Sequence, residues 1–273
     1  MKAIQPIVGR LRIYPIKSLD GCDQEQVKIS SGGAFEWDRR YALVDAKGKF
    51  VNAKRFHRIH HIRTQFLWHE EKMVLSIPFG DTGESQSISA PFANPSGLQE
   101  PLSHFFGFQV SLRENISHGF PDDTQANGPT VVSRSSLETL CQWFPTIDFE
   151  QMIHRFRPNL ILDAAPTFYE DHLYATESSR AFRVGQVEMY GSNPCARCVV
   201  PTRHPHTGQR DAAFQRDFMR RRKENMPPTI AANRFNHYYR FALNTNISPT
   251  EAGKQIHLGD RVNAAENRER DAS

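Results

Sequence analysis

A succession of short alternating segments separated by turn residues constrains the fold of this chain most strongly. Residues 8–14 alternate apolar and polar side chains before a proline, which predicts a β-strand. Residues 35–45 predict a second strand, and the turn Asp45-Ala46-Lys47-Gly48 leads into a third at residues 50–53. A turn of this composition between two strand-like runs is typical of a β-hairpin.

The pattern continues along the first 115 residues. Residues 63–69 and 72–77 predict another hairpin, whereas residues 78–101 are rich in Gly, Ser, Pro and Asn and predict mostly loop. Further on, Ser135 followed by Glu138 has the spacing of a capping box and predicts the start of a helix. Short strands with short connections are typical of barrels and sandwiches, so the chain is expected to be rich in β-structure.

Charge and composition limit the function classes. The formal net charge of +4 is mild, which favours an anionic small molecule as a ligand over nucleic acid. No apolar run approaches 18 residues, so we expect no membrane span. The first residues do not resemble a signal peptide, and the four cysteines are too few for a disulfide scaffold. A cytoplasmic location is therefore the expectation.

Two of the four cysteines, Cys195 and Cys198, lie three residues apart behind a Gly-Ser-Asn-Pro turn that follows the strand-like residues 186–190. Arg197 between them should favour the thiolate form. Four interpretations remain open: packed small side chains, half of a zinc site completed by His204 and His206, a dithiol redox pair, or one thiolate that binds a transition metal whose other ligands come from a cofactor.

Three further places carry groups suited to an anion. Lys17 and Ser18 lie in a turn after the first strand, where an amine and a hydroxyl suit phosphate. Arg39 and Arg40 are adjacent on an expected strand, so they should point to opposite faces and at most one should serve an interior site. In Arg157-Pro158-Asn159, the arginine and the amide should share one side in extended geometry.

With these motifs placed, the sequence resembles the MOSC family, which is named after the C-terminal domain of molybdenum cofactor sulfurase. It is most similar to the two-part members with an N-terminal β-barrel region, such as the mitochondrial amidoxime-reducing component and bacterial reductases of N-hydroxylated bases. The resemblance extends from Ile13–Ser18 to Leu258–Val262. It rests on the order of four motifs: Ile13–Ser18, Asp38–Tyr41, Phe156–Asn159, and Cys195–Cys198 with Thr207-Gly208 behind it.

The resemblance implies a β-rich α+β fold, a MOSC-type β-barrel with an N-terminal β-barrel-like region. The implied division is residues 1–115 for the N-terminal region, 116–264 for the MOSC domain and 265–273 for a disordered tail. Both regions would share one cofactor cleft.

It also implies a molybdenum cofactor of the molybdopterin type whose metal is bound by one cysteine. In this sequence the matching residue is Cys198, which would be both the metal ligand and the catalytic residue. Lys17, Ser18 and Arg40 match positions at the phosphate end of the cofactor, and Arg157 and Asn159 match positions around the pterin. The full set of implied cofactor-binding residues is Lys17, Ser18, Arg40, Asn127, Arg157, Asn159, Ala196 and Cys198.

The implied function is reduction of a small N-hydroxylated or related N-oxygenated substrate by oxygen-atom transfer. Electrons would come from a separate protein of iron–sulfur, flavin or cytochrome type, with no nucleic acid or membrane partner. The alternative is a cofactor carrier or sulfur-transfer module, in which Cys195 would carry a persulfide. The basic run 220–223 is either a solvated face or a dock for the redox partner. His204-Pro205-His206 stands where the family often has an acidic residue, which bears on substrate preference.

Overall fold

The computed structural model describes residues 5–79, 84–175, 179–228, 230 and 232–264. Its strands are β1 (Ile7–Ile13), β2 (Cys22–Gln24), β3 (Gln26–Lys28), β4 (Tyr41–Asp45), β5 (Arg63–Leu67), β6 (Lys72–Phe79), β7 (Glu84–Pro91), β8 (Val110–Glu114), β9 (Val131–Ser133), β10 (Leu160–Asp163), β11 (Arg180–Val184), β12 (Val187–Ala196), β13 (Arg240–Ile247), β14 (Gln255–His257) and β15 (Val262–Ala264). Its α-helices are α1 (Gln99–Phe106), α2 (Arg134–Trp143), α3 (Phe149–Phe156) and α4 (Phe214–Glu224).

One large sheet organises the molecule. Its eight strands run in the order β15-β11-β12-β13-β9-β10-β1-β2, and every pair is antiparallel except β9 with β10. The first strand of the chain thus pairs with β10, with Leu11 opposite Leu160. The domain boundary at residue 115 stays a prediction. The structure adds that β1, from the expected N-terminal region, pairs with β10 of the expected MOSC domain. The expected tail 265–273 lies outside the described residues.

The N-terminal region contributes two smaller sheets, β4-β8 and β5-β6-β7. The expectation of loop over residues 78–101 is wrong, because β7 pairs with β6 along its whole length and α1 begins at Gln99. Most side chains of β7 are exposed. Its Ser- and Gln-rich composition therefore reflects an edge strand with little buried surface and not an absence of structure.

Helices α2, α3 and α4 pack together beside the large sheet. Phe156 of α3 lies 5.7 Å from Phe218 of α4 and 4.7 Å from Phe241 of β13, measured between ring centroids. The cap of α2 is Ser133, two residues before the expected Ser135, and its Oγ accepts the amide of Ser136. This packing fixes the C-terminal end of α3, where Arg157 begins the next segment.

The β-rich α+β fold class is confirmed, with short strands and four α-helices in the described residues. No helix in the part of the chain that the structure describes has the length and apolar character needed to cross a bilayer.

Candidate functional site

A cavity of about 500 Å³ lies between segments of the N-terminal region and the large sheet. Its lining residues come mainly from the segments 17–20, 52–63, 121–130, 154–157 and 193–201. Eight lysines and arginines line it against three aspartates. The cavity is therefore built for an anionic or electron-rich ligand. Of the residues singled out from the sequence, it is lined by Lys17, Ser18, Arg39, Arg157, Cys195, Ala196, Arg197 and Cys198.

The cysteine segment reaches the cavity as the end of a bulged strand. The expected turn at residues 191–194 is wrong, because these residues belong to β12 and pair with β13 through two register shifts. Gly191 lies against the Leu173 carbonyl, where an added Cβ would sit 1.9 Å from the oxygen. Pro194 falls between the shifts, where a missing N–H is tolerated. The bulges direct the chain so that Cys195 and Cys198 both line the cavity.

Arg197 connects the thiols to the fold. Its Nη1 donates to Cys195 Sγ at 3.0 Å, and its Nη2 donates to the Phe156 carbonyl. Burial alone would lower the pKa of Arg197, but the neighbouring sulfur atoms of Cys195 and Cys198 raise it above its usual value. The cation is thus held beside both sulfur atoms.

Lys17 and Ser18 form a second corner of the cavity. Ser18 has a left-handed backbone conformation with φ 71°, and its Oγ accepts the amide of Ala53 at 3.3 Å. Lys17 Nζ donates to Asp122 Oδ1 and to the Phe120 carbonyl, each at 2.8 Å. Burial lowers the pKa of Lys17, against the opposing effect of the Asp122 carboxylate. The amine lines the cavity, and its neighbour Asp122 already offsets part of its charge.

Arg39, and not Arg40, faces the cavity. The expectation that both lie on one strand is wrong, since residues 36–39 form a turn and Arg39 has φ 51°. Arg40 stacks on the ring of Trp37 at 3.9 Å and pairs with Glu114 at 2.6 Å, and it does not line the cavity. The turn arises because Asp38 Oδ1 accepts the amide of Tyr14 at 2.8 Å, a contact between distant segments.

Arg157 lines the cavity but Asn159 does not, so the two residues do not act side by side as expected. Arg157 ends α3 in the left-handed conformation, φ 53°, so the two side chains do not share an extended segment. Asn159 is fully buried, and its side chain hydrogen-bonds to the backbone of two other segments. Its Nδ2 donates to the Arg12 carbonyl at 3.0 Å, and its Oδ1 accepts the Thr130 amide at 3.0 Å. It does not line the cavity and acts instead as a support beneath it.

Asn127 likewise points elsewhere. Its side chain donates to the Gly32 carbonyl, and its flanking residues Ala126 and Gly128 line the cavity in its place. Through this contact Asn127 ties the 122–128 loop to the N-terminal region. The structure therefore gives it a supporting position.

Arg157 is the best indication that the cavity is made for an anion. Its guanidinium lies 4.0 Å from the Tyr14 ring, and its Nη2 is buried without a hydrogen-bond partner among the described residues. Burial lowers the pKa of Arg157 to about 10. An unpaired buried charge is costly, and a bound anion would remove that cost. Together with Lys17 and the Cys198 thiol, it fits a cofactor that carries a phosphate and binds its metal through one thiolate.

Two histidines that were not assigned a site role from the sequence, His60 and His154, also line the cavity. Burial lowers the pKa of both His60 and His154 to about 4, so both are neutral at pH 7. His60 Nε2 has no partner among the described residues. His154 lies 5.5 Å from His206, measured between ring centroids, so the His204-Pro205-His206 segment lies next to His154. For His60, the sequence offered one signal, the three histidines within residues 57–61. Which of these side chains points into the cavity depends on tertiary contacts.

The zinc interpretation gains no support from the geometry. No group of three or more His, Cys, Asp or Glu side chains converges on a metal-sized site within the described ranges.

The basic run 220–223 does not form one exposed face. Arg222 is buried and pairs with Asp171, while Arg220 pairs with Glu224 at 3.3 Å.

Comparison with known protein families gives two matches that together extend over most of the chain. Residues 5–113 match the MOSC N-terminal beta barrel domain, and residues 123–263 match the MOSC domain.

The curated relatives are molybdenum cofactor sulfurases. That of Drosophila pseudoobscura pseudoobscura is 24% identical over 256 residues, covering 76% of this chain and 30% of the relative. That of Drosophila willistoni is 26% identical over 241 residues, covering 77% and 28%. The chain thus spans less than a third of the length of these relatives. A solved structure titled "Crystal structure of an hypothetical protein" has 13% identity and a TM-score of 0.35 over 53% of this chain and 55% of its own, too distant to carry an argument.

Proposed function

The chain belongs to the MOSC family, and on that premise we propose that it is a molybdenum-cofactor-dependent oxidoreductase that reduces small N-oxygenated compounds. The observation that carries the proposal is one cavity lined by the Cys198 thiol, the Lys17 amine and the Arg157 guanidinium, whose Nη2 has no hydrogen-bond partner among the described residues. When bound, the cofactor supplies the two-electron oxygen-transfer chemistry.

The protein's own residues bind and orient. Lys17 and Arg39 would hold the phosphate end through charge-assisted hydrogen bonds, and Arg157 would lie along the ring system. Cys198 would be the single protein ligand of the metal. Arg197 keeps positive charge beside the cysteine segment and anchors it to the end of α3 through the Phe156 carbonyl.

The two histidines of the cavity wall suit the substrate. His60 and His154 are neutral at pH 7 because burial lowers their pKa values, so they offer hydrogen bonds without adding charge. Reduction of an N-hydroxyl group takes two electrons and two protons, breaks the N–O bond and releases water. A hydroxyl or oxime oxygen is therefore the substrate group that these histidines would orient.

The test is metal and pterin analysis of the protein purified from a host able to make the cofactor, followed by assays. We expect molybdenum, pterin fluorescence and reduction of an amidoxime with reduced viologen. NADH alone should not support turnover until a redox protein is added, because no Gly-rich nucleotide-binding turn follows a strand in the sequence. A folded, zinc-loaded protein without pterin would contradict the proposal.

A second candidate is a cofactor carrier or sulfur-transfer module. It is favoured by the 3.0 Å contact of Arg197 Nη1 with Cys195 Sγ, which suits a reactive sulfur, and by the sulfurases among the relatives. This candidate requires a persulfide on Cys195. Cyanide treatment should then release thiocyanate from the unsubstituted protein and none from Cys195→Ser. Molybdenum-loaded protein that is inactive with every artificial donor would favour it over the reductase.

A further inference from the structure

An exposed basic surface borders the cavity on the side of the N-terminal region. It lies between β4 and β5, and its charged side chains are all exposed. The one carboxylate of the segment, Asp45, is already engaged, since its Oδ1 accepts the amides of Lys47 and Lys49 at 3.0 and 2.9 Å. Asp45 Oδ2 also pairs with Arg55 at 3.3 Å, and Lys54 Nζ lies 3.5 Å from Asp122 Oδ1. Lys47 and Lys49 are therefore the cations of this surface that have no carboxylate partner among the described residues. We call it the basic rim and define it as Lys47, Lys49, Phe50, Lys54 and Arg55.

The basic rim has an aromatic centre. Phe50 is one of the few large apolar side chains that remain exposed, at 37% of its surface. Its ring packs edge-on against Phe120 at 5.7 Å, and its carbonyl accepts a hydrogen bond from Arg55 Nη1 at 2.8 Å. A fixed aromatic residue surrounded by cations resembles the anchor and polar rim of a protein–protein interface.

The basic rim is continuous with the cavity. Lys54 belongs to both, and the adjacent Asn52 and Ala53 line the cavity. Lys17 Nζ lies 5.6 Å from the centroid of the Phe50 ring, so Phe50 separates a cavity-lining amine from the outer surface. A protein bound here would approach the wall of the same cavity that contains Cys198.

The other basic candidate is less suitable. In the run 220–223, Arg222 is buried against Asp171 and is not available to a partner protein. None of the four residues lines the cavity. A carrier bound there would not face the redox site directly.

We propose that the basic rim is the docking surface for a small acidic protein that carries one electron at a time. The proposal rests on the proposed reductase function, which consumes two electrons per N–O bond. Two reduced iron–sulfur carriers would dock in succession, each losing one electron. Charge complementarity selects an acidic protein, and the position at the cavity wall favours an electron donor over a membrane or nucleic acid.

The test uses the molybdenum-loaded full chain and an acidic plant-type [2Fe–2S] ferredoxin as the probe. The variant Lys47→Gln/Lys49→Gln removes two rim charges outside the cavity wall. We expect its Kd for the ferredoxin to rise about threefold to tenfold at low salt, and the difference to disappear at roughly 0.5 M salt. Phe50→Ala should weaken binding at both salt concentrations. Calorimetry measures the Kd of the unsubstituted protein and of both variants without any need for turnover.

Arg220→Gln/Lys223→Gln is the matched control, because it removes the same charge from α4 and should leave the Kd unchanged. Equal weakening in both double variants, or an unchanged Kd in the rim variant, would overturn the proposal. Binding to phosphatidylserine vesicles but not to ferredoxin would assign the rim to a membrane and overturn it too. Viologen-driven turnover of the unsubstituted protein tests the reductase function separately. If ferredoxin binds through the basic rim but viologen drives no turnover, the docking surface is supported and the reductase function is refuted.

Discussion

The two cysteines at the cavity differ in their partners, which separates their expected roles. Cys195 Sγ is held by Arg197 Nη1 at 3.0 Å, whereas Cys198 has no side-chain hydrogen bond within the described ranges. We expect Cys198→Ser to abolish molybdenum retention, because a serine hydroxyl is a poor replacement for a soft thiolate. Cys195→Ser should keep most of the metal. Molybdenum per chain, measured by mass spectrometry, checks this, and equal loss in both variants would favour a two-thiol site.

Also at the scale of single residues, the charges at the cavity should bind the cofactor and do little for the fold. Arg157→Met should lower cofactor affinity about tenfold or more, since a charge-assisted hydrogen bond contributes roughly 1.5–3 kcal/mol. The free energy of unfolding of the cofactor-free protein should not fall, because the change removes an unpaired buried charge. Pterin retention after dialysis and urea unfolding measure the two effects.

Arg40→Met is the control for this prediction. It removes the same charge from a side chain that stacks on Trp37 outside the cavity, so pterin retention should not change. If Arg40→Met releases the cofactor and Arg157→Met does not, the geometric assignment of these arginines is wrong.

At the scale of one element, β12 depends on a close approach at Gly191. A Cβ there would lie 1.9 Å from the Leu173 carbonyl oxygen, which is backbone and cannot rotate away. Gly191→Ala should therefore destabilise the protein by about 2–4 kcal/mol and displace the cysteine segment that follows. Gly97→Ala is the matched control, since a Cβ at Gly97 meets nothing within 4 Å. Urea unfolding distinguishes them, and similar midpoints would show that β12 shifts at little cost.

At the scale of the whole molecule, a buried carboxyl makes stability depend on pH. Glu170 Oε2 accepts the Ser133 amide and the Ser136 hydroxyl at 3.1 Å each, which joins the 169–172 turn to the start of α2. Burial raises the pKa of Glu170 from 4.5 to about 7. Because the folded-state pKa is the higher one, its contribution to stability is complete below pH 4.5 and is lost as pH rises through 7.

The corresponding variant is Glu170→Gln, which cannot ionise. Its free energy of unfolding relative to the unsubstituted protein should increase between pH 5 and pH 8, by roughly 3 kcal/mol at most. Glu138→Gln removes the same charge at an exposed position of α2 and should show no such trend. Urea unfolding across this pH range is the measurement, and parallel curves for all three proteins would contradict the buried ionisation.

How far the sequence was sufficient differs between local and long-range features. Strand β1, the turn at residues 45–48 and the β-rich class follow from alternation and turn residues, which act over a few neighbours. The third strand expected at residues 50–53 does not form: a single bridge joins Phe50 to Val44, and β4 pairs instead with β8. The family follows from the order of short motifs. Lys17, Ser18, Arg157, Ala196 and Cys198 could be placed at one cavity through that resemblance alone, and the structure brings them there.

Tertiary contacts decided the rest. Arg39 replaces Arg40 at the cavity because the turn at residues 36–39 is held by Asp38 on the Tyr14 amide, 24 residues away. Asn127 and Asn159 bind backbone of distant segments, and a side chain's direction is not encoded in its own neighbours. The sequence by itself determined which chemistry is present: thiols, basic groups and histidines. Only the tertiary structure decided which of them face the same cavity, because side-chain direction depends on backbone turns fixed by hydrogen bonds between segments far apart in the chain.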